Sequence, residues 1–220
     1  GVIGLLCLCV ACQRKDLSFK PGEVWPDDKG VHINAHGGGI LRIGDTYYWF
    51  GEHKTEGSAG NLAQVGVHCY SSKDLYNWED LGLIIPPDLE DETSPLHPSN
   101  MMDRPHIIYN QFTKKYVCWL KIMEKNGIQS ETVLTADQFL GPYTIEKTNL
   151  RPLNMSAGDF DLAVAPDGKA YYYFERVHSE TICADLTADY TDVTGYYSTH
   201  FPHPVSYTHL RAHETCADLV

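Results

Sequence analysis

Polar residues that could carry chemistry stand at or beside the ends of short apolar runs: Asn34, His36, Glu52, Asp103, Arg104, Asp159, Asp161, Glu175 and Arg176. Carboxylates this far apart in the chain become useful when a fold brings them to one hollow. One carboxylic acid can then protonate a leaving oxygen while a second group activates water from the opposite side, the two lying roughly 6.5 to 9.5 Å apart when the attacked carbon inverts. That is the chemistry of glycoside cleavage. Each residue also has a plainer reading. Asp103 beside Arg104 fits a turn or a surface ion pair, which usually contributes little. Asp159 and Asp161 would share one face of a strand and could cap a loop. His36, between Ala35 and Gly37, fits a hydrogen-bonded core histidine as well as a ligand contact. Glu52 follows a strongly apolar strand, where a carboxylate needs a reason.

The elements that must position these groups are hairpins. Gly39 to Ile43 and Thr46 to Phe50 read as β-branched and aromatic strands joined by the tight turn Gly44-Asp45. Three consecutive glycines, Gly37 to Gly39, precede the turn, where no side chain would block close approach of a backbone or a ligand. The unit returns twice. Arg104 to Asn110, the turn Gln111 to Lys114 and Lys115 to Leu120 make a second hairpin; Asp161 to Ala165, the turn Pro166 to Lys169 and Ala170 to Glu175 make a third. Each is followed by another strand-like run and a polar segment with an aromatic. Taking Tyr48, Val117 and Tyr172 as equivalent gives spacings of 69 and 55 residues. Four short strands per repeat at such a period predict β-propeller blades. A propeller hides its sheet edges by closing on itself with about 4 to 8 blades, so three blades predict part of a larger domain. Alternation sends only one subset of Tyr47, Tyr48, Trp49, Trp119 and Tyr171 to Tyr173 into the core.

Composition agrees with an all-β chain. Fourteen tyrosines and four tryptophans occur with well-spread glycine and proline, and no long helical periodicity is present. The formal net charge of −12 argues against nucleic-acid partners, whose phosphates need cations, and leaves neutral ligands such as sugars.

Both termini differ from this pattern. Residues 1–12, GVIGLLCLCVAC, are apolar, too short to span a bilayer, and end in Val10-Ala11-Cys12 before a polar Gln13 to Asp16. This resembles the end of a bacterial lipoprotein signal peptide lacking its start, with Cys12 as the lipidated residue. It predicts export across the inner membrane and a lipid anchor facing the periplasm or the cell surface. A buried strand is the alternative. From Val205 to Val220 the strand and turn pattern stops, and the segment resembles a translated adapter sequence; residues 205–220 are set aside from fold reasoning, and His209, His213 and Cys216 with them as a metal site. The expected organisation is a signal and linker over 1–22, a partial propeller over 23–204 and a non-native tail. No metal or cofactor is expected. Cys69 and Cys183 fall at matching places in different repeats, too far apart for a disulfide, and buried thiols are expected.

INAHGGGIL, YYWFGE, VGVHCYSSKDLYNWEDLG, DRPHIIYN and DGKAYYYFER together resemble glycoside hydrolase family 43, in its branch acting on β-1,3-galactan and arabinogalactan side chains. The likeness runs from about Glu23 to Pro204. It implies a five-bladed propeller and exo-acting, inverting hydrolysis of O-glycosidic bonds in an oligo- or polysaccharide. It further implies that Glu52 and Asp103 are sugar-contacting carboxylates, Asp103 standing where the branch often has Glu. Asp159 would be the third-blade carboxylate that tunes the acid and orients substrate, with Asn34, His36, Arg104 and Glu175 lining the sugar. The family's general-acid glutamate lies in an Arg-Glu-Ala-Pro segment soon after a stretch like HFPHP. Here His200 to Pro204 is followed by no such segment, and the usual first-blade aspartate base is replaced by the neighbourhood of Asn34 and His36. An α-L-arabinofuranosidase or a non-catalytic carbohydrate-binding propeller would share the same framework.

Overall fold

The computed structural model describes residues 18–55, 64–123, 127–177 and 179–200. The proposed signal with Cys12 and the tail with His209, His213 and Cys216 lie outside the described residues. Among the described residues, twelve strands form three four-stranded antiparallel sheets, each a simple meander. The first sheet takes β1 (His36–Ile43), β2 (Thr46–Lys54), β3 (Gln64–Ser72) and β4 (Glu79–Ile85). The second takes β5 (Met101–Asn110), β6 (Lys115–Met123), β7 (Gln129–Ala136) and β8 (Thr144–Leu150). The third takes β9 (Ala157–Val164), β10 (Ala170–Arg176), β11 (Glu180–Leu186) and β12 (Val193–His200). These are three propeller blades, packed through their first strands, β1 against β5 and β5 against β9.

Tyr48, Val117 and Tyr172 are equivalent in the structure: each stands two residues beyond the pair that closes its hairpin, opposite Leu41, Ile108 and Leu162. The strands nevertheless run further than their apolar runs predict. β1 begins at His36, β2 continues through Gly51 to Lys54, β5 starts at Met101, β6 continues to Met123 and β9 starts at Ala157. The added ends carry the glycines and charges that hide β propensity, and all of them lie at the same end of the three blades.

Alternation explains the central blade. Along β6, Val117 and Trp119 enter a core shared with Phe160, Leu162, Tyr172, Phe174 and Ile182 of the third blade. Cys118, Leu120 and Ile122 enter a second core with Phe50, Val67, Ile85 and Phe139 on the first-blade side. With both faces buried, the strand reads KYVCWLKIM, nearly continuous apolar sequence rather than alternation. Trp119 donates its indole N–H to the Tyr190 carbonyl at 2.9 Å, so its one polar atom is satisfied inside the core. A third cluster on the outer side of the first blade joins Ile33, Tyr70 and Trp78 to Trp25 and Trp49.

The cysteines Cys69, Cys118 and Cys183 are free. Cys69 and Cys183 are one residue out of step: Cys69 stands opposite Phe50, four residues into β2, and Cys183 opposite Tyr173, three into β10. A one-residue offset exchanges faces, so Cys69 is fully buried while Cys183 is half-buried. Burial pushes the Cys69 thiol up to about 12, which makes it inert packing.

Candidate functional site

The chain enters β1 across the end of β2, and glycines make the crossing feasible. A Cβ on Gly38 would sit 1.9 Å from the Phe50 carbonyl oxygen, and one on Gly51 would sit 2.2 Å from the Ala35 carbonyl carbon. Two backbones therefore touch where the sequence offers no side chain, and the pairing of β1 with β2 shifts register between His36 and Gly39. The contact leaves His36 directly opposite Glu52. Asn34 secures it from the side: its amide donates to the Lys54 carbonyl at 2.8 Å and accepts from the Lys54 N–H at 2.9 Å. Asn34 thus works as a backbone staple that sets where Glu52 and Lys54 point.

A continuous line of alternating charges then crosses all three blades. His36 Nδ1 lies 2.5 Å from Glu52 Oε1, and Lys54 Nζ lies 2.9 Å from Glu52 Oε2 and 3.2 Å from Asp103 Oδ1. Lys121 Nζ lies 3.7 Å from Asp103 Oδ2 and 3.3 Å from Asp159 Oδ1. Arg104 closes the line with two parallel bonds to Asp159, at 3.1 and 2.6 Å. Bidentate guanidinium binding fixes the plane of a carboxylate as well as its position. Arg104 takes φ 54, a left-handed conformation that non-glycine residues seldom adopt and that tends to mark functional positions.

Depth divides the cluster into a floor and a rim. Glu52 and Lys121 side chains are 2% and 6% exposed, whereas His36 and Asp159 are 59% and 57% exposed. Burial, reinforced by the charge of Asp103, raises the Glu52 pKa; the bonds from His36 and Lys54 work against it. Burial also disfavours ionisation of Asp103, but the charges of Lys121 and Lys54 outweigh it and hold its pKa below the ordinary value. The two neighbouring carboxyls are thus pushed in opposite directions, Glu52 up and Asp103 down.

The structure brings Glu52, Asp103, Arg104, Asp159 and His36 together. Asp161 lies on the same strand as Asp159, and its carboxylate is 3.2 Å from His106 Nδ1. Arg176 instead bonds Glu180 at 2.8 Å on its own hairpin. Glu175 lies on β10, its carboxylate occupying the space that a Cβ on Gly158 of β9 would take. The lysines Lys54 and Lys121 and the histidine His106 escaped sequence reasoning, because single cations on strand ends carry no motif. Lys121 had one legible signal, a charge inside a run that is otherwise apolar.

Beneath the floor, Glu131 of β7 stands opposite Lys121 and is fully buried. It accepts a 2.8 Å hydrogen bond from Tyr172 of the third blade, and its second oxygen has no hydrogen-bond partner. Burial raises its pKa well above the usual value, against the opposing pull of Tyr172 and Lys121. Tyr172→Phe leaves the whole carboxyl unsatisfied. The expected cost is about 1–3 kcal/mol in urea unfolding, with the blade packing otherwise intact; a loss below the error of that measurement would remove Tyr172 as the support of Glu131.

Carboxylates from three propeller blades, on β2, β5 and β9, thus gather in one cluster through Lys54 and Lys121. Residues 35–215 match the model of the glycosyl hydrolases family 43, and the chain belongs to that family. It is similar to solved structures of a GH43 β-1,3-galactosidase (36% identity, TM-score 0.72), of a second one with galactodeoxynojirimycin (31%, 0.72) and of an exo-β-1,3-galactanase from Phanerochaete chrysosporium with β-1,3-galactotriose (31%, 0.72). The alignments cover 82%, 83% and 82% of this chain and 38%, 66% and 42% of those chains. The chain thus spans less than two thirds of their length. No protein with a curated description matches it.

Proposed function

We propose that the hollow lined by Glu52, Asp103, Asp159, Arg104 and His36 binds the terminal galactose of β-1,3-linked galactan or arabinogalactan side chains. In the completed propeller it would serve exo-acting hydrolysis of the glycosidic bond with inversion. One observation carries the reading: carboxylates from three blades meet through Lys54 and Lys121 in a single charge-balanced cluster. Ionised acceptors with fixed geometry suit the hydroxyls of a neutral sugar. The likeness to structures holding galactotriose and galactodeoxynojirimycin supports the sugar. The chain spans less than two thirds of the length of those structures. Sugar binding is therefore the property tested on this chain.

Titration calorimetry with β-1,3-galactobiose is expected to show binding that Glu52→Gln, Asp103→Asn and Asp159→Asn each weaken. Losing a hydrogen bond to a charged group costs about 1.5–3 kcal/mol, or roughly 10- to 100-fold in affinity. Unchanged affinity in all three variants would overturn the site, and preference for arabinose over galactose would redirect it to the arabinofuranosidase reading. We propose that Cys12 is acylated, which metabolic labelling with palmitate would detect in the wild-type chain and not in Cys12→Ser.

A further inference from the structure

We propose that a hollow at the hairpin end of the first blade is a second carbohydrate site, which holds a further stretch of the same neutral polysaccharide. The identity of the sugar rests on the galactan reading above; the hollow itself does not.

Its volume is about 510 Å³, inside the range of roughly 300 to 1,000 Å³ typical of small-molecule sites. One wall is the segment 26–30, the other runs from Ser71 to Glu79, and Thr46 of β2 joins the lining. Thr46 closes the first hairpin and Glu52 lies six residues further along β2. At about 3.3 Å per residue the hollow is therefore on the order of 20 Å from the carboxylate cluster. The two walls are tied together. The Asp28 N–H donates to the Trp78 carbonyl at 2.8 Å, and Lys29 reaches Asp80 at 3.2 Å. Asp27 accepts from the N–H groups of Lys29 and Val31 at 2.9 and 2.8 Å. Trp25 and Trp78 both pack on Trp49, with ring centroids at 5.7 and 5.4 Å. The hollow is thus formed in advance, which lowers the ordering cost of binding.

The lining selects a neutral, hydroxyl-rich ligand. Lys73 is the one cation among the described lining residues, and its ammonium is occupied by Asp45 at 2.6 Å and by the Thr46 hydroxyl. With Asp27, Asp28, Asp74 and Glu79 around the hollow, an anion is repelled. Asp74 serves the turn, accepting from the N–H groups of Tyr76 and Asn77 at 2.9 Å each and from the Asn77 amide at 2.8 Å. The Ser71 and Tyr76 hydroxyls and the Glu79 carboxylate have no such partner among the described residues and are left for a ligand. A carboxylate accepts strongly from hydroxyls. Beside this hollow, a smaller one of about 150 Å³ shares Pro26 and Tyr76 and is lined by Phe19 and Trp25. Phe19 is 50% exposed, stacks on Trp25 at 5.7 Å and meets Tyr76 at 4.6 Å. An exposed aromatic ledge next to hydrogen-bonding groups matches a sugar chain, whose rings carry C–H on their faces and hydroxyls at their edges. A polymer held here presents its other segments to the Glu52 hollow at raised effective concentration.

Titration calorimetry of the full chain with β-1,3-galactotriose is expected to show two sites. Asp103→Asn should weaken one and leave the other. Glu79→Gln and Phe19→Ala, both exposed positions, should each weaken that other site, Glu79→Gln by about 10-fold. Sites this far apart act independently, so the first should change by less than about twofold. In affinity electrophoresis the same two variants should lose most of their retardation by arabinogalactan. A single site that Asp103→Asn weakens and the other two variants leave alone would overturn the second site and keep the galactoside reading. Binding that only Glu79→Gln and Phe19→Ala weaken would overturn that reading and keep the second site; no binding at all would overturn both. Calcium binding that Glu79→Gln removes, with galactotriose binding untouched, would make the hollow a cation site and overturn the proposal.

Discussion

Gly51→Ala is expected to abolish stable folding of the first blade. The added methyl carbon would lie 2.2 Å from the Ala35 carbonyl carbon, 2.3 Å from its oxygen and 2.7 Å from the His36 oxygen. All three are backbone atoms, so no side chain can rotate away. Relief would require the entry to β1 to move off β2, which would separate His36 from Glu52 and Asn34 from Lys54. Overpacking a core costs about 1–3 kcal/mol where side chains can yield; a backbone overlap exceeds that, to on the order of 4 kcal/mol or more. Gly39→Ala is the matched control. Its Cβ would meet only the Phe50 ring, at an ordinary 3.6 Å, and less backbone freedom in the unfolded chain offsets part of any strain. Urea unfolding should place Gly39→Ala within about 1 kcal/mol of the parent and show little cooperative transition for Gly51→Ala. A Gly51→Ala chain that unfolds like the parent would refute the close backbone crossing.

The same glycines show what could be read in advance and what could not. Three in a row before a hairpin announce a close approach, and the structure assigns them different partners: Gly38 meets backbone, Gly37 opens toward Glu52 and Arg104, and Gly39 has ordinary space. Hairpins were legible because aromatic and β-branched residues flank tight turns, and the repeat was legible because Tyr48, Val117 and Tyr172 keep one register. The strand ends were not. Propensity fades where a strand carries charge, and charge is what those ends supply to the site. Glu52, Asp103 and Asp159 could be named as carboxylates at blade ends, yet the cations between them depend on which face each strand turns to its neighbour. Lys121 reaches Asp159 because it follows Val117 and Trp119 on the face turned to the third blade. Asn34 shows a different limit: its side chain is the type that touches sugars, and the fold uses both ends of its amide on Lys54.

Lys121→Met should uncouple the second and third blades at the site, with a loss that depends on pH in a defined direction. Lys121 is the nearly buried cation between Asp103 and Asp159, and it opposes the raised pKa of Glu131 below. Methionine keeps the chain length and removes the charge, leaving Lys54 as the cation beside Asp103, with Glu52 its hydrogen-bond partner. Removing one partner of a buried ion pair costs about 3–5 kcal/mol; most of this should come from Asp103, because water already screens the exposed Asp159. In the parent, the Asp103 pKa is lowered, so its contribution is complete above the ordinary aspartate value of about 3.9 and disappears only as pH falls through the lowered one. In the variant, desolvation of Asp103 and Glu131 is less compensated, and both carboxyls should protonate at higher pH than in the parent. Acid then relieves the variant before it weakens the parent. The stability difference measured by urea unfolding should be largest near pH 7 and should shrink by at least about half near pH 4.5. An equal difference at both pH values would mean that only the lysine's packing had been lost, and the charge line across the three blades would not be what holds the site together.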